Sequence, residues 1–383
     1  MTTFRVPVAP SLVHWAVQRS GRAYADLLHK FPELPAWESG RTDPTFHQLE
    51  SFSQSTYTPF GFFFLDEVPR EELPIPDFRT VGNSPVTDPS PDLLETIFIC
   101  EQRQEWYRNY ALAVGAEPLT FIGSATISTP VTTAAQQIRA ALRFTMDDRA
   151  GDQNWSTALR RLIDSAEDLG ALVMISGIVG NNTHRALDPQ EFRGFALSDS
   201  LAPLIFINGA DTKAAQIFTL IHEVAHLWLN ATALSNTALD RSTTNETELW
   251  CNKVAGEVLV PLDSLREAYP GAATTQELDR LARLFKSSTL VVLRRIFDAG
   301  LLTWEDFQSV YDEERSRVMR LLARSGNGGD FYNTHPLRVS RRFARALISD
   351  TKAGRTLHRD AFQLLGTRKY QTFVELGTKI GAA

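Results

Sequence analysis

Thr219, His222, Glu223, His226 and Asn230 follow one another at spacings of 3, 1, 3 and 4 within "FTLIHEVAHLWLN" (218–230). On a helix of about 3.6 residues per turn these spacings make one polar stripe. Apolar residues, among them Ile217, Leu220, Ile221, Val224, Ala225, Leu227 and Leu229, fill the rest of the helix. Two imidazoles four residues apart can each place a nitrogen on a common Zn2+. A glutamate beside the first can take a proton from water that the ion polarises. His222 to His226 has this HExxH pattern. Core histidines beside an idle glutamate are the bland alternative, but each buried unsatisfied polar group costs about 1–3 kcal/mol. A structural zinc is a further alternative. Such sites are closed and usually cysteine-rich, so the donor set here favours catalysis.

A catalytic zinc takes a third protein ligand and keeps an open position. The pattern HExxHxxGxxH would put a third histidine at 232, where this chain has Thr232, with Leu229 at the glycine position. A carboxylate on a later helix is needed instead. "NETELWCNKVAGEVLVP" (245–261) offers Glu246, Glu248 and Glu257. Glu248 shares a face with Asn252, Ala255, Gly256 and Leu259, and the small residues at 255 and 256 permit close approach to the first helix. Glu248 is therefore the expected ligand, 22 residues after His226, with Asn252 one turn on to orient a ligand. Glu246 reads as a solvated first-turn carboxylate complementing the helix dipole, and Glu257 as surface.

The elements that must position these groups can be read on either side. "ALVMISGIV" (171–179), "FRGFALSD" (192–199) and "PLIFING" (203–209) are short β-branched or aromatic runs bounded by Gly, Pro and Asn, and predict three strands. A helix from about Ala214 to Asn230 follows, and beyond Pro261 the pattern is helical almost throughout. Residues 11–60 predict four short helices, and "VGNSPVTDPSPD" (81–92) reads as a linker. The expected organisation is an N-terminal module at 1–80, a catalytic domain at 81–265 and a helical C-terminal region at 266–383. The expected class is α+β, mainly α, with a small three-stranded sheet packed on the HExxH helix.

The chain has 383 residues, 43% hydrophobic and 22% charged, with a net charge of −6, so neither wholesale disorder nor a globally basic nucleic-acid binder fits. Two cysteines, Cys100 and Cys251, are too few for a disulfide framework and suit a reducing compartment. No signal peptide or membrane span is legible, so a cytoplasmic protein without membrane partners is expected.

"PLIFINGADTKAAQIFTLIHEVAHLWLN" and "NETELWCNKVAGEVLVP" resemble the ImmA/IrrE family of zinc metallopeptidases over about 60 residues. The resemblance implies a gluzincin-like ligand set of His222, His226 and Glu248, with Glu223 as general base. The sequence departs from the family's pattern at Leu249-Trp250-Cys251, which flank the ligand face. Residues 14–65 resemble the XRE-type helix-turn-helix module often fused ahead of this peptidase, most clearly at "WESGRTDPTFHQLE". Residues 1–60 hold five Lys/Arg and five Asp/Glu, however, which points to a degenerate module used for packing or protein contact over one that reads DNA.

A second helix-turn-helix is conceivable at 277–302, with Lys286, Arg294 and Arg295 on or beside its second helix; a hairpin packed on the peptidase domain is the alternative. The basic run at 338–355 is similarly open between a binding face and a solubilising one.

These readings converge on a zinc endopeptidase. The resemblance implies a protein substrate, a helix-turn-helix repressor, in a stress-response or mobile-element regulatory system. Tyr332 or His335 is the expected oxyanion donor. The rival reading is a regulatory or toxin–antitoxin-type interaction protein that binds a partner or DNA, its zinc site vestigial or structural.

Overall fold

The computed structural model describes residues 4–77, 88–235, 245–322 and 336–382, with the backbone alone for 321 and 322. The chain forms two compact units, one of residues 1–74 and 86–97, the other of residues 75–85 and 98–383. The linker expected at 81–92 lies largely outside the described residues.

In the first unit the four expected helices form as α1 (Pro10–Arg19), α2 (Tyr24–Lys30), α3 (Leu34–Glu38) and α4 (Phe46–Thr56). Prolines stand in the first turns of α1 and α3, where a missing N–H breaks no helical bond. Thr45 and Gln48 cap α4 reciprocally. Leu12, Leu27, Leu34, Trp37, Leu49, Phe52 and Phe63 close a small core. The cations of residues 1–60 are spent internally. Arg19 pairs with Glu71 and the Tyr57 carbonyl, Arg22 and Lys30 bond the Ser55 carbonyl and hydroxyl, Arg5 bonds the Asp43 carbonyl, and Arg41 bonds the Ser39 hydroxyl.

Helix α5 (Pro91–Ala113) contains the division between the units. The second unit continues with α6 (Val131–Ala141), α7 (Met146–Ala150) and α8 (Trp155–Asp168). Strands β1 (Leu172–Ser176), β2 (Gly194–Leu197) and β3 (Leu204–Asn208) come next, then α9 (Lys213–Trp228), β4 (Ala233–Ser235) and α10 (Glu246–Leu259). The fold is mainly helical with a four-stranded sheet, ordered β1-β3-β2-β4. β1 and β3 are parallel, and β2 is antiparallel to both β3 and β4. The three expected strands are present. The fourth, three residues long, is too short to show a period.

Every strand residue is buried, so both faces of the sheet are covered. Val173, Ile205 and Ala196, paired across three strands, join the core that contains α9 and α10. Met174, Phe206 and Phe195 occupy the opposite face, where the two rings stack at 5.0 Å. On that side Gln104 of α5 donates to the carbonyls of Leu197 and Ala202, both at 2.9 Å.

Beyond lie α11 (Leu262–Ala268), α12 (Thr275–Phe285), α13 (Thr289–Asp298) and α14 (Trp304–Leu322), then α15 (Arg341–Lys352), α16 (His358–Leu365) and α17 (Tyr370–Lys379). The α12–α13 hairpin buries Leu281, Phe285, Val292, Leu293 and Ile296 in the same core as α9 and α10. Arg295 is 5% exposed and pairs with Glu257. Glu257, expected at the surface, is therefore buried, because Gly256 lets α13 approach: a Cβ at 256 would lie 3.0 Å from Arg295 Cδ. Arg149, 1% exposed, donates to the carbonyls of Phe144, Val258, Leu259 and Phe285 and so ties α10 to α12. Its burial lowers the guanidinium to about 9. The cations of the basic run at 338–355 bond to neighbouring groups while staying half-buried or exposed: Arg341 pairs with Asp164, Arg342 bonds Tyr107, Arg345 and Lys352 bond the Ile380 and Ala382 carbonyls, and Arg355 pairs with Asp350.

Candidate metal centre

Helix α9 starts at Thr212, whose side chain accepts from the Ala215 N–H, and is buried from Gln216 to Trp228. His222, Glu223 and His226 are each 0% exposed. The stripe ends there. Asn230 lies beyond the helix in the left-handed region at φ 54°, is exposed, and accepts from the Ser198 hydroxyl at 2.9 Å. It terminates the helix, a role that its place in the stripe did not reveal.

Helix α10 presents the partner. Asn245 caps it, accepting from the N–H groups of Thr247 and Glu248. Glu248, 2% exposed, thus sits in the first turn pointing at α9. Its Oε2 lies 3.3 Å from His222 Nε2, its Oε1 lies 2.9 Å from His226 Nε2, and the two Nε2 atoms are 3.1 Å apart. One ligand atom from each of the three residues fits within 4.8 Å, so the group could hold a metal ion. Glu246 is exposed, as expected. Trp250 and Cys251, in the stretch that departs from the family's pattern, pack into the core, and Trp250 donates to the Thr129 carbonyl at 2.9 Å.

Burial alone would raise the Glu248 carboxyl, but the two imidazoles pull it down to about 2. Burial lowers His226 against the opposing pull of Glu248. Glu223 moves the other way: burial, then the charge of Glu248, push it well above the usual carboxylate range. A hydrogen bond from Ser235 opposes that rise at longer range, and among the described residues neither Glu223 oxygen has a close hydrogen-bond partner. Two imidazole nitrogens and a carboxylate converging in a buried site suit a divalent cation, and the Glu223 carboxyl beside them suits a water that the cation polarises. The residues fit a metal.

Two further residues shape the centre. Ser235 of β4, 0% exposed, places its hydroxyl 3.4 Å from both His226 Nε2 and Glu248 Oε1. Gly194 of β2 passes so close to α9 that a Cβ would lie 2.5 Å from Thr219 Cγ2, 2.8 Å from the Phe206 carbonyl and 3.2 Å from Glu223 Oε1. A glycine inside a strand pattern signals such an approach, whereas nothing in the sequence pointed to Ser235. Among the described residues the buried Oδ1 of Asn252 has no hydrogen-bond partner. Tyr332 and His335 lie outside the described residues.

Comparison with known families agrees with this geometry. Residues 166–297, from the end of α8 through α13, match the family model of the IrrE N-terminal-like domain, peptidase family M78. The match supports an ImmA/IrrE-type metallopeptidase domain and suggests protease activity. Residues 339–379 match a domain of unknown function, DUF8813. No curated protein and no solved structure matches the chain. Among the described residues no helix is long and apolar enough to cross a membrane.

Proposed function

We propose that the chain is a zinc-dependent endopeptidase that cleaves a specific partner protein, a helix-turn-helix repressor, in a stress-response or mobile-element regulatory system of the cytoplasm. The observation that carries this reading is the convergence of His222 Nε2, His226 Nε2 and the Glu248 carboxylate beside the buried carboxyl of Glu223. His222, His226 and Glu248 would hold the ion, which when bound supplies Lewis-acid polarisation of water and of a peptide carbonyl. Glu223 takes the proton of the attacking water and returns it to the leaving amine. Ser235 orients Glu248 and His226. The substrate class rests on the resemblance to ImmA/IrrE peptidases, and the cytoplasm on two buried, unpaired cysteines. With its cations bonded internally, the N-terminal unit serves protein contact in this reading.

Metal analysis of the purified protein should find about one zinc per chain. Glu223→Gln should keep the zinc and lose cleavage of a co-expressed repressor, and His226→Ala should lose the zinc. Protein without stoichiometric metal would overturn the reading. Normal biological activity of Glu223→Gln would favour a binding protein instead.

A further inference from the structure

We propose that the last three helices bind duplex DNA, with α17 lying in the major groove and the turn before it set on the phosphates. This is a second activity of the chain and does not depend on the metal centre. Residues 339–379 hold nine Lys and Arg but three Asp and Glu, in a chain whose net charge is −6. In the first unit, by contrast, cations and acids balance. Cations that neutralise phosphates supply most of the affinity for DNA, and their clustering on one domain is its footprint. Arg359, in the first turn of α16, is 84% exposed and pairs with its neighbour Asp360. Arg368 and Lys369, between α16 and α17, are exposed and pair with no acid among the described residues.

The helices themselves have an arrangement that reads a groove. α15 packs against both α16 and α17, and Phe343, Leu347, Ala361, Leu365, Phe373 and Leu376 are buried. α16 ends at Gly366, which takes the left-handed φ of 66° that a tight exit needs. Residues 366–369 alone connect it to α17. His358, the first residue of α16, lies 5.8 Å from Tyr370 and 5.6 Å from Phe373 between ring centroids, and Phe362 lies 5.6 Å from Phe373. A helix, a short glycine-containing turn and a second helix locked against the first make a helix-turn-helix, whose second helix presents its N-terminal residues to base edges in the major groove.

The outward face of α17 has the chemistry for that task. Tyr370, Gln371, Val374 and Thr378 share one side of the helix and are exposed, Tyr370 at 62%. None of the four is charged, so the face suits hydrogen bonds and methyl contacts with bases, while Arg368 and Lys369 stand immediately before the helix. Glu375 accepts from Gln371 Nε2 at 2.9 Å and so orients the amide. A glutamine amide matches the N6 and N7 of adenine, and the methyls of Val374 match that of thymine. Beside the turn runs a groove of about 650 Å3, lined among others by Asn182, His184, Gln363, Thr367 and Arg368 and with no carboxylate on its walls. It leaves a path for a phosphate strand. Asn181 Nδ2 donates to the Gly366 carbonyl at 2.7 Å and ties the turn to the domain that holds the metal centre.

The test follows full-length protein on a labelled duplex pool with a randomised centre, by fluorescence anisotropy from about 50 to 200 mM salt, and then sequences the retained duplexes. Wild type should bind, and its affinity should fall steeply with salt. Arg368→Ala with Lys369→Ala should lower the slope of log affinity against log salt by about two and weaken binding to every duplex alike. Gln371→Ala should keep the slope and relax the retained sequence at one position by about fivefold or more. All three side chains are exposed, and a thermal midpoint equal to that of wild type shows the fold intact. Arg368→Gln with Lys369→Gln repeats the comparison if the alanines disturb it. No binding by wild type overturns the proposal, as does an unchanged slope in the double variant or a retained sequence that Gln371→Ala leaves as it was. Tighter binding to single strands of the same pool overturns it too. Binding lost in Arg22→Ala with Arg41→Ala, and kept without Arg368 and Lys369, would overturn it in favour of the first unit.

Discussion

Ser235 shows how one hydroxyl joins a candidate metal site without any motif. It touches Glu248 and His226 at 3.4 Å from a strand that pairs with β2. Partners that orient metal ligands typically affect metal affinity about 10–100-fold. Ser235→Ala should therefore weaken zinc binding by about that factor, with Ser235→Thr retaining more of the affinity; competition with a chelator of known affinity measures both. An affinity unchanged in Ser235→Ala would show the contact to be incidental. His222, Glu223 and His226 were legible in the sequence because their relation is local: a helix alone fixes which side chains share a face. Glu248 was legible only as the best of three carboxylates, since its choice depends on how a second helix approaches the first.

Elements are held at the centre by close approaches and buried charges. Gly194 lets β2 cross α9, and Gly194→Ala should destabilise the protein by about 1–3 kcal/mol through overpacking, read as a lower urea midpoint. Thr219→Ser in the same chain should recover part of this by removing the nearest methyl, while the Phe206 carbonyl at 2.8 Å still opposes the new Cβ. Full recovery, or no loss at all, would contradict the packing described. The Arg295–Glu257 pair joins α13 to α10 at 5% and 7% exposure. Removing one partner of a buried pair costs about 3–5 kcal/mol, whereas replacing both with apolar residues is often far milder. Equilibrium unfolding should thus find Glu257→Gln worse than Glu257→Leu with Arg295→Met. Equal losses would mean that the charges matter less than the volume. Glu257 misled the sequence reading as surface, and Arg295 had stood open between a helix-turn-helix and a hairpin packed on the peptidase domain, because burial of a charge is decided by its distant partner.

Across the whole molecule, the family match runs from 166 to 297 and so takes in the sheet, both helices of the candidate metal centre and the α12–α13 hairpin. Arg149 helps explain why the hairpin belongs with the centre: it bonds carbonyls at the ends of α10 and α12 together. The first unit has its own core, and Asp77, which follows it closely in the chain, pairs with Leu234 of β4.

What the amino-acid order determined by itself was everything set by short-range periodicity: the helix bearing the HExxH stripe, the three apolar strands, the four N-terminal helices and the class α+β, mainly α. Tertiary structure alone decided what depends on long-range pairing. It brought Glu248 to the imidazoles, set Ser235 among them through a strand too short to carry a period, ended the polar stripe at His226, and buried Arg295 against Glu257. A helix or strand needs only its own residues to form. A buried charge or a three-residue edge strand is stable only in the company of partners far away in the chain.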